Sequence, residues 1–268
     1  MKTVFNILKI LFVGGLILYL ISLLAVVIFQ EKLIFMSESL PQGYQYDFKA
    51  DFEEIFLEAD DGAKLNALHF KVENPLGVVL YYHGNAGELS SWGSVVQKFV
   101  SRNYDVVVMD YRTYGKSTGK LSENAMYSDA RMFYDYVSKR YSEDKIVVYG
   151  RSLGTTFATY VASINNPKKL ILEAPFYSLE DIASNRFSIY PVKWFLKYRF
   201  PTYRFIPNVN SQIILFHGTD DNMVGHDNSI KLSEIINPEK LKIYSIPNAG
   251  HNDLERFAEY LEGLDAVL

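Results

Sequence analysis

Residues Lys145 to Gly154 read KIVVYGRSLG, and no other stretch narrows the possible folds as much. The β-branched run Ile146-Val147-Val148 calls for a strand, and helix-compatible residues follow Gly154. Between them Gly150-Arg151-Ser152-Leu153-Gly154 is the pattern of a nucleophile elbow, a strand-to-helix turn too tight for side chains at its two glycines, with Ser152 at the apex. The five-residue pattern recurs by chance in about one chain in ten of this length. Its weight therefore rests on what surrounds it.

The chain around it alternates strand-like and helix-like segments. Glu54 to Ala59 and Leu65 to Val72 read as an antiparallel hairpin about Asp60-Asp61-Gly62 at a sheet edge. Gly77 to Tyr82 is apolar without alternation, as a strand buried on both faces must be. After the loop His83 to Glu88 come a helix to about Arg102, a strand Asp105 to Asp110, a loop Tyr111 to Gly119 and a helix from about Ser122 to Arg140. Beyond the elbow follow helix Thr155 to Ile164, strand Leu170 to Glu173, strand Ile213 to His217, helix Asp227 to Ile236, strand Leu241 to Ile246 and helix Leu254 to Leu261. This alternation predicts one α/β domain built on a doubly wound, mostly parallel sheet.

A serine hydroxyl attacks at neutral pH only when a base takes its proton, a third group orients the base and hydrogen-bond donors await the oxyanion. On a sheet of this kind the partners follow the serine in the order acid, then histidine, each just past a strand. His217-Gly218-Thr219-Asp220-Asp221 supplies two adjacent carboxylates after one strand, and Ala249-Gly250-His251 supplies a histidine after the last. The predicted oxyanion donors are the backbone N–H groups of Leu153, next to the serine, and Asn85, in the loop after Tyr82.

Near the N-terminus, Ile10 to Phe29 is a run of twenty uncharged residues, enough at 1.5 Å per residue to cross a hydrocarbon core of about 30 Å. It exceeds the apolar region of a signal peptide, about 7 to 15 residues, and no small-x-small cleavage pattern follows closely. Residues 1–32 are thus expected to be a transmembrane anchor and 33–268 the folded domain. Lys2, Lys9 and the α-amino group lie before the span, while Glu31 and Lys32 cancel after it, so the N-terminus is expected in the cytoplasm and the domain on the far side of the membrane. A net charge of −4 argues against a nucleic-acid partner. The absence of cysteine excludes disulfides and thiolate chemistry, and the five histidines lack metal-ligand spacing, so no metal or cofactor is expected.

Five stretches in order, HGNAGE, MDYRTYGKSTG, GRSLG, HGTDDNMV and AGHND, make the chain from about Leu33 onward resemble the Bem46/ABHD-type group of α/β-hydrolases. The resemblance implies an eight-stranded sheet of that fold and a Ser152-Asp221-His251 triad, because HGTDDNMV aligns its second aspartate with the family's acid. It also implies hydrolysis of esters or thioesters with lipid-like acyl groups, and a structural role for Met109 to Gly119. Such folds insert a lid over the nucleophile, and 176–209, with ten aromatics and five Lys or Arg residues, falls where that lid would be; a pair of short helices with aromatics packed on the sheet and charges in solvent is the other reading. Phe176 and Tyr177 are its expected substrate contacts. Amide hydrolysis by the same triad, or a catalytically silent binding module, are the alternatives the sequence leaves. Oligomeric state has no signature in it.

Overall fold

The computed structural model describes all 268 residues. An eight-stranded sheet organises the domain: β1 (Phe52–Glu58), β2 (Lys64–Phe70), β3 (Val78–Tyr82), β4 (Asp105–Met109), β5 (Ile146–Arg151), β6 (Lys169–Glu173), β7 (Gln212–Gly218) and β8 (Leu241–Ile246). Across the sheet they run β8-β7-β6-β5-β3-β4-β2-β1, parallel except where β2 pairs antiparallel with β4 and β1. The hairpin thus closes one edge, as its turn sequence predicted. The expected α/β-hydrolase fold is the observed one.

Both faces of the sheet are covered, which is why its central strands read as unbroken apolar runs. Val78, Leu80 and Tyr82 face the layer of α4 (Glu123–Ser138) and α5 (Gly154–Ser163), while Val79 and Tyr81 face α2 (Leu89–Val95), α3 (Gln97–Val100) and α10 (Ala258–Val267). Helix α4 begins where Ser122 accepts the Ala125 N–H at 3.1 Å and buries Met126, Ala130, Phe133 and Val137, a 3.6-residue stripe. The helix expected through Arg102 is interrupted at Val96. The helix expected over 227–236 is α9 (Asp227–Ser233), and that expected over 254–261 resolves into a single turn at Leu254–Arg256 followed by α10.

Two further pieces meet above the C-terminal edge of the sheet. Between β6 and β7 the chain forms three short helices, α6 (Leu179–Arg186), α7 (Val192–Phe195) and α8 (Thr202–Phe205). Helix α1 (Lys2–Ile34) is long and apolar enough to cross a membrane. It continues unbroken past residue 32, so the expected boundary between 1–32 and 33–268 falls inside a helix. Its last turns rest on the insertion: Gln30 accepts the Lys197 N–H at 2.8 Å and donates to the Phe195 carbonyl at 3.3 Å. Tyr198 donates to Glu31 at 2.9 Å.

Candidate active site

Ser152 stands at the end of β5 with φ +49°, a left-handed conformation that L-residues adopt at a cost of about 1–2 kcal/mol. Packing holds it there. A Cβ at Gly154 would lie 1.9 Å from the Tyr82 carbonyl oxygen, and one at Gly150 would lie 2.6 Å from the Gly154 carbonyl oxygen. The Ser152 N–H donates to the Glu173 carbonyl at 2.8 Å, tying the turn to β6. Beneath it the buried Arg151 lies 3.1 Å from the Glu173 carboxylate.

The loops after β7 and β8 bring the other two residues to this turn. His251 Nε2 lies 3.0 Å from Ser152 Oγ, and His251 Nδ1 lies 2.6 Å from Asp221 Oδ2. Asp221 Oδ1 accepts the N–H groups of Met223 and Val224, both at 2.8 Å. The two loops are stitched together by Asp220 N–H to the Ala249 carbonyl at 2.9 Å and Asn248 N–H to Thr219 Oγ1 at 2.9 Å. Asp220 itself is exposed, whereas Asp221 is buried. The geometry therefore singles out Asp221 of the two carboxylates.

His217 is a partner that sequence reasoning passed over. Fully buried at the end of β7, it donates from Nε2 to the Val224 carbonyl at 2.7 Å, and the same nitrogen lies 3.2 Å from Asp221 Oδ2. Its Nδ1 is 2.7 Å from Ser229 Oγ. Burial alone would raise the Asp221 carboxyl, but the adjacent His217 ring, the His251 ring and the Val224 N–H outweigh it and hold the group well below the usual carboxylate range. The histidine of the HG pair in HGTDDNMV was its only trace in the sequence.

Leu153 and Asn85 both line the cleft beside Ser152, and the backbone N–H of neither donates to an acceptor in the protein. The Asn85 loop is held from three sides. Tyr114 donates to the Asn85 carbonyl at 2.8 Å, Tyr111 donates to the His83 carbonyl at 2.7 Å, and the Asn85 side chain donates to the Ile34 carbonyl at 2.9 Å. Both tyrosines belong to the stretch Met109 to Gly119.

A cleft of about 460 Å³ opens above Ser152, and eleven of its fifteen lining residues are apolar. Phe176 lines it. Tyr177 does not, contrary to expectation: it stacks on Tyr203 at 4.7 Å between ring centres, beside a separate polar hollow.

Comparison with known proteins follows the same line. Residues 73–211 match the Hydrolase_4 family, described as serine aminopeptidase S33. The chain is 32% identical to the α/β-hydrolase domain-containing protein aho-3 of Caenorhabditis elegans over 71% of its own length, spanning 57% of that longer protein. With the protein bem46 of Schizosaccharomyces pombe it shares 30% identity over 94% of this chain and 90% of the other. Among solved structures, the Pyrococcus furiosus esterase Pf2001 superposes with a TM-score of 0.68 at 18% identity, covering 86% of this chain and 96% of the esterase. With its fold, its matched segment and its likeness to bem46 over 94% of its length in agreement, the chain belongs to the Hydrolase_4 family of α/β-hydrolases, among Bem46-like serine hydrolases.

Proposed function

We propose that the protein is a membrane-anchored serine hydrolase that cleaves carboxylic esters or thioesters of lipid-like acyl groups. Ser152 is its nucleophile, His251 its base, Asp221 the group that orients His251, and 176–209 the cap over the site. The observation that carries the reading is the hydrogen-bonded series Ser152 Oγ, His251, Asp221 at the floor of an apolar cleft.

As Ser152 Oγ attacks the carbonyl carbon, its proton passes to His251 Nε2, and the Asp221 carboxylate stabilises the resulting imidazolium through Nδ1–H. The oxyanion takes up hydrogen bonds from the unengaged N–H groups of Leu153 and Asn85; in related sites one such donor accounts for about 2.7–4 kcal/mol of barrier reduction. Collapse expels the alkoxide or thiolate, which takes the proton from His251. Water then attacks the acyl-enzyme, gives its proton to His251, and releases the carboxylic acid with Ser152 restored. His217 acts through Asp221: anchored to the Val224 carbonyl, its ring packs 3.2 Å from the carboxylate oxygen that His251 uses.

An aminopeptidase, the activity in the matched family's description, needs an acidic group near the nucleophile to hold a free α-amine. The cleft lining contains no Asp or Glu, and its one charged residue is Arg186. Esters therefore fit the cleft better than N-terminal peptides. The test is turnover of p-nitrophenyl butyrate beside aminoacyl p-nitroanilides, for wild type and Ser152→Ala. Ester hydrolysis that vanishes in Ser152→Ala supports the proposal. Anilide cleavage without ester cleavage transfers the protein to the peptidases, and unchanged ester hydrolysis in Ser152→Ala removes Ser152 from the mechanism.

A further inference from the structure

The half-buried positions of α1 include Tyr19, Leu23, Val26, Val27 and Ile34, spaced three or four apart on one face with the buried Gln30 among them. That face lies against the segment from Ala183 to Leu196. Tyr19 stacks on Tyr190 with ring centres 5.6 Å apart and donates to the Ile189 carbonyl at 3.1 Å. Between helix and cap runs a narrow apolar hollow of about 70 Å³, and eleven of its twelve lining residues are hydrophobic. The exception, Gln30, is engaged at both ends of its amide by backbone groups of the cap, so it places no unmet polar group in the hollow.

This hollow adjoins the cleft over Ser152. Leu33, Ile34, Ala183 and Phe187 line both, so an apolar wall continues from the nucleophile to Leu23. From Ile34 to Leu23 the helix rises about 16 Å, the reach of an extended chain of about a dozen methylenes. Leu23, Val26 and Val27 also lie within the uncharged run Ile10 to Phe29, so the far end opens toward hydrocarbon. Beside it the cap exposes Ile189 and Trp194, at 70% and 82%. Tryptophan settles at a membrane interface, and isoleucine in the hydrocarbon just below it.

We propose that the seam between α1 and the cap is the entry track for the acyl chain of a membrane ester lipid. The ester carbonyl reaches Ser152 while the tail stays along α1, in the leaflet from which it came. A dry apolar hollow accepts hydrocarbon, and a narrow one selects an unbranched chain. The inference rests on the hydrolase reading above and adds to it the substrate and its route.

The test compares hydrolysis of a butyryl ester with that of a palmitoyl ester lipid carried in phosphatidylcholine vesicles. Val27→Trp, which fills the seam, is expected to lower the palmitoyl-to-butyryl rate ratio roughly tenfold or more. Leu20→Trp, on the exposed face of the same helix, is expected to leave that ratio unchanged. An unaltered ratio in Val27→Trp, with butyryl hydrolysis intact, overturns the track alone. Absence of Ser152-dependent butyryl hydrolysis in wild type overturns the hydrolase reading and the track with it. Cleavage of an S-palmitoyl peptide but not of the ester lipid assigns the seam to another occupant and also overturns the proposal. Should Val27→Trp fail to fold, Ser152→Ala protein in vesicles holding a lipid with a diazirine at its acyl terminus supplies the same decision. Crosslinks concentrated on Leu23, Val27 and Phe187 uphold the track, and crosslinks no denser there than on Leu20 and Leu24 overturn it.

Discussion

Asp221 is held by three hydrogen bonds, from the N–H groups of Met223 and Val224 and from the ring of His251, with the His217 ring 3.2 Å away. With its carboxyl held far below the usual range, it stays ionised throughout the pH range in which an ester hydrolase works. Asp221→Asn is therefore expected to cut kcat by about 10³- to 10⁴-fold while the protein stays folded, because the amide cannot hold His251 in the required tautomer. Steady-state kinetics beside thermal unfolding checks this, and a loss smaller than tenfold would remove Asp221 from the triad. His217→Gln, which leaves Asp221 ionised but less firmly placed, is expected to lower kcat with little change in KM. Equal loss in a variant that also melts far below wild type would mark His217 as merely structural. Gly154→Ala should be worse tolerated than either, since the added carbon meets the Tyr82 carbonyl, which belongs to the strand backbone and cannot swing away.

Between elements, a buried charge cluster fixes the ends of β5 and β6 under the serine turn. Glu173 receives hydrogen bonds from Tyr149 at 2.5 Å and Tyr260 at 3.0 Å, and Arg151 and Lys98 lie close by. Burial alone would raise its carboxyl, but those two cations and two phenols lower it from 4.5 to about 2. A depressed folded-state value means that the stabilisation is fully present above the unfolded value and fades as pH falls from about 4.5 toward about 2. Glu173→Gln is expected to cost about 3–5 kcal/mol near neutrality by leaving Arg151 without its buried counter-ion, and to flatten stability across that acidic window. Denaturant unfolding at a series of pH values decides it: a variant that keeps the wild-type acid slope contradicts the assignment. At the other interface, Gln30→Leu strips the Lys197 N–H and the Phe195 carbonyl of their partner, and about 1–3 kcal/mol of docking between α1 and the cap goes with it. Faster protease cutting between Phe187 and Lys197 in detergent is the expected sign, and unchanged cutting would show that α1 does not brace the cap.

At the scale of the whole molecule, the sheet was legible because Val78 to Tyr82 and Ile146 to Tyr149 are buried on both sides and carry no polar alternation. The serine, the histidine and two candidate acids were legible because each sits in the loop that follows a strand. The choice of Asp221 over Asp220 needed either the family motif or the burial that only the folded loops reveal. Contacts made by ring nitrogens and by turned side chains were not legible, which is why His217 was overlooked and Tyr177 misplaced. The docked face of α1 was hidden for a different reason: a helix apolar on every side has no periodicity to mark the face that meets protein. Sidedness also belongs to this scale. With positive charge before the span, alkaline phosphatase fused at the end of α1 is expected to be active only outside the cytoplasm, and activity confined to the cytoplasm would reverse the orientation. The most direct measurement of the central claim is labelling of the full-length, detergent-solubilised protein with a fluorophosphonate, which reacts only with an activated serine. Wild type is expected to label, and Ser152→Ala and His251→Ala to lose the label while remaining folded. Folded wild type that stays unlabelled, or labelling that persists in Ser152→Ala, would contradict it.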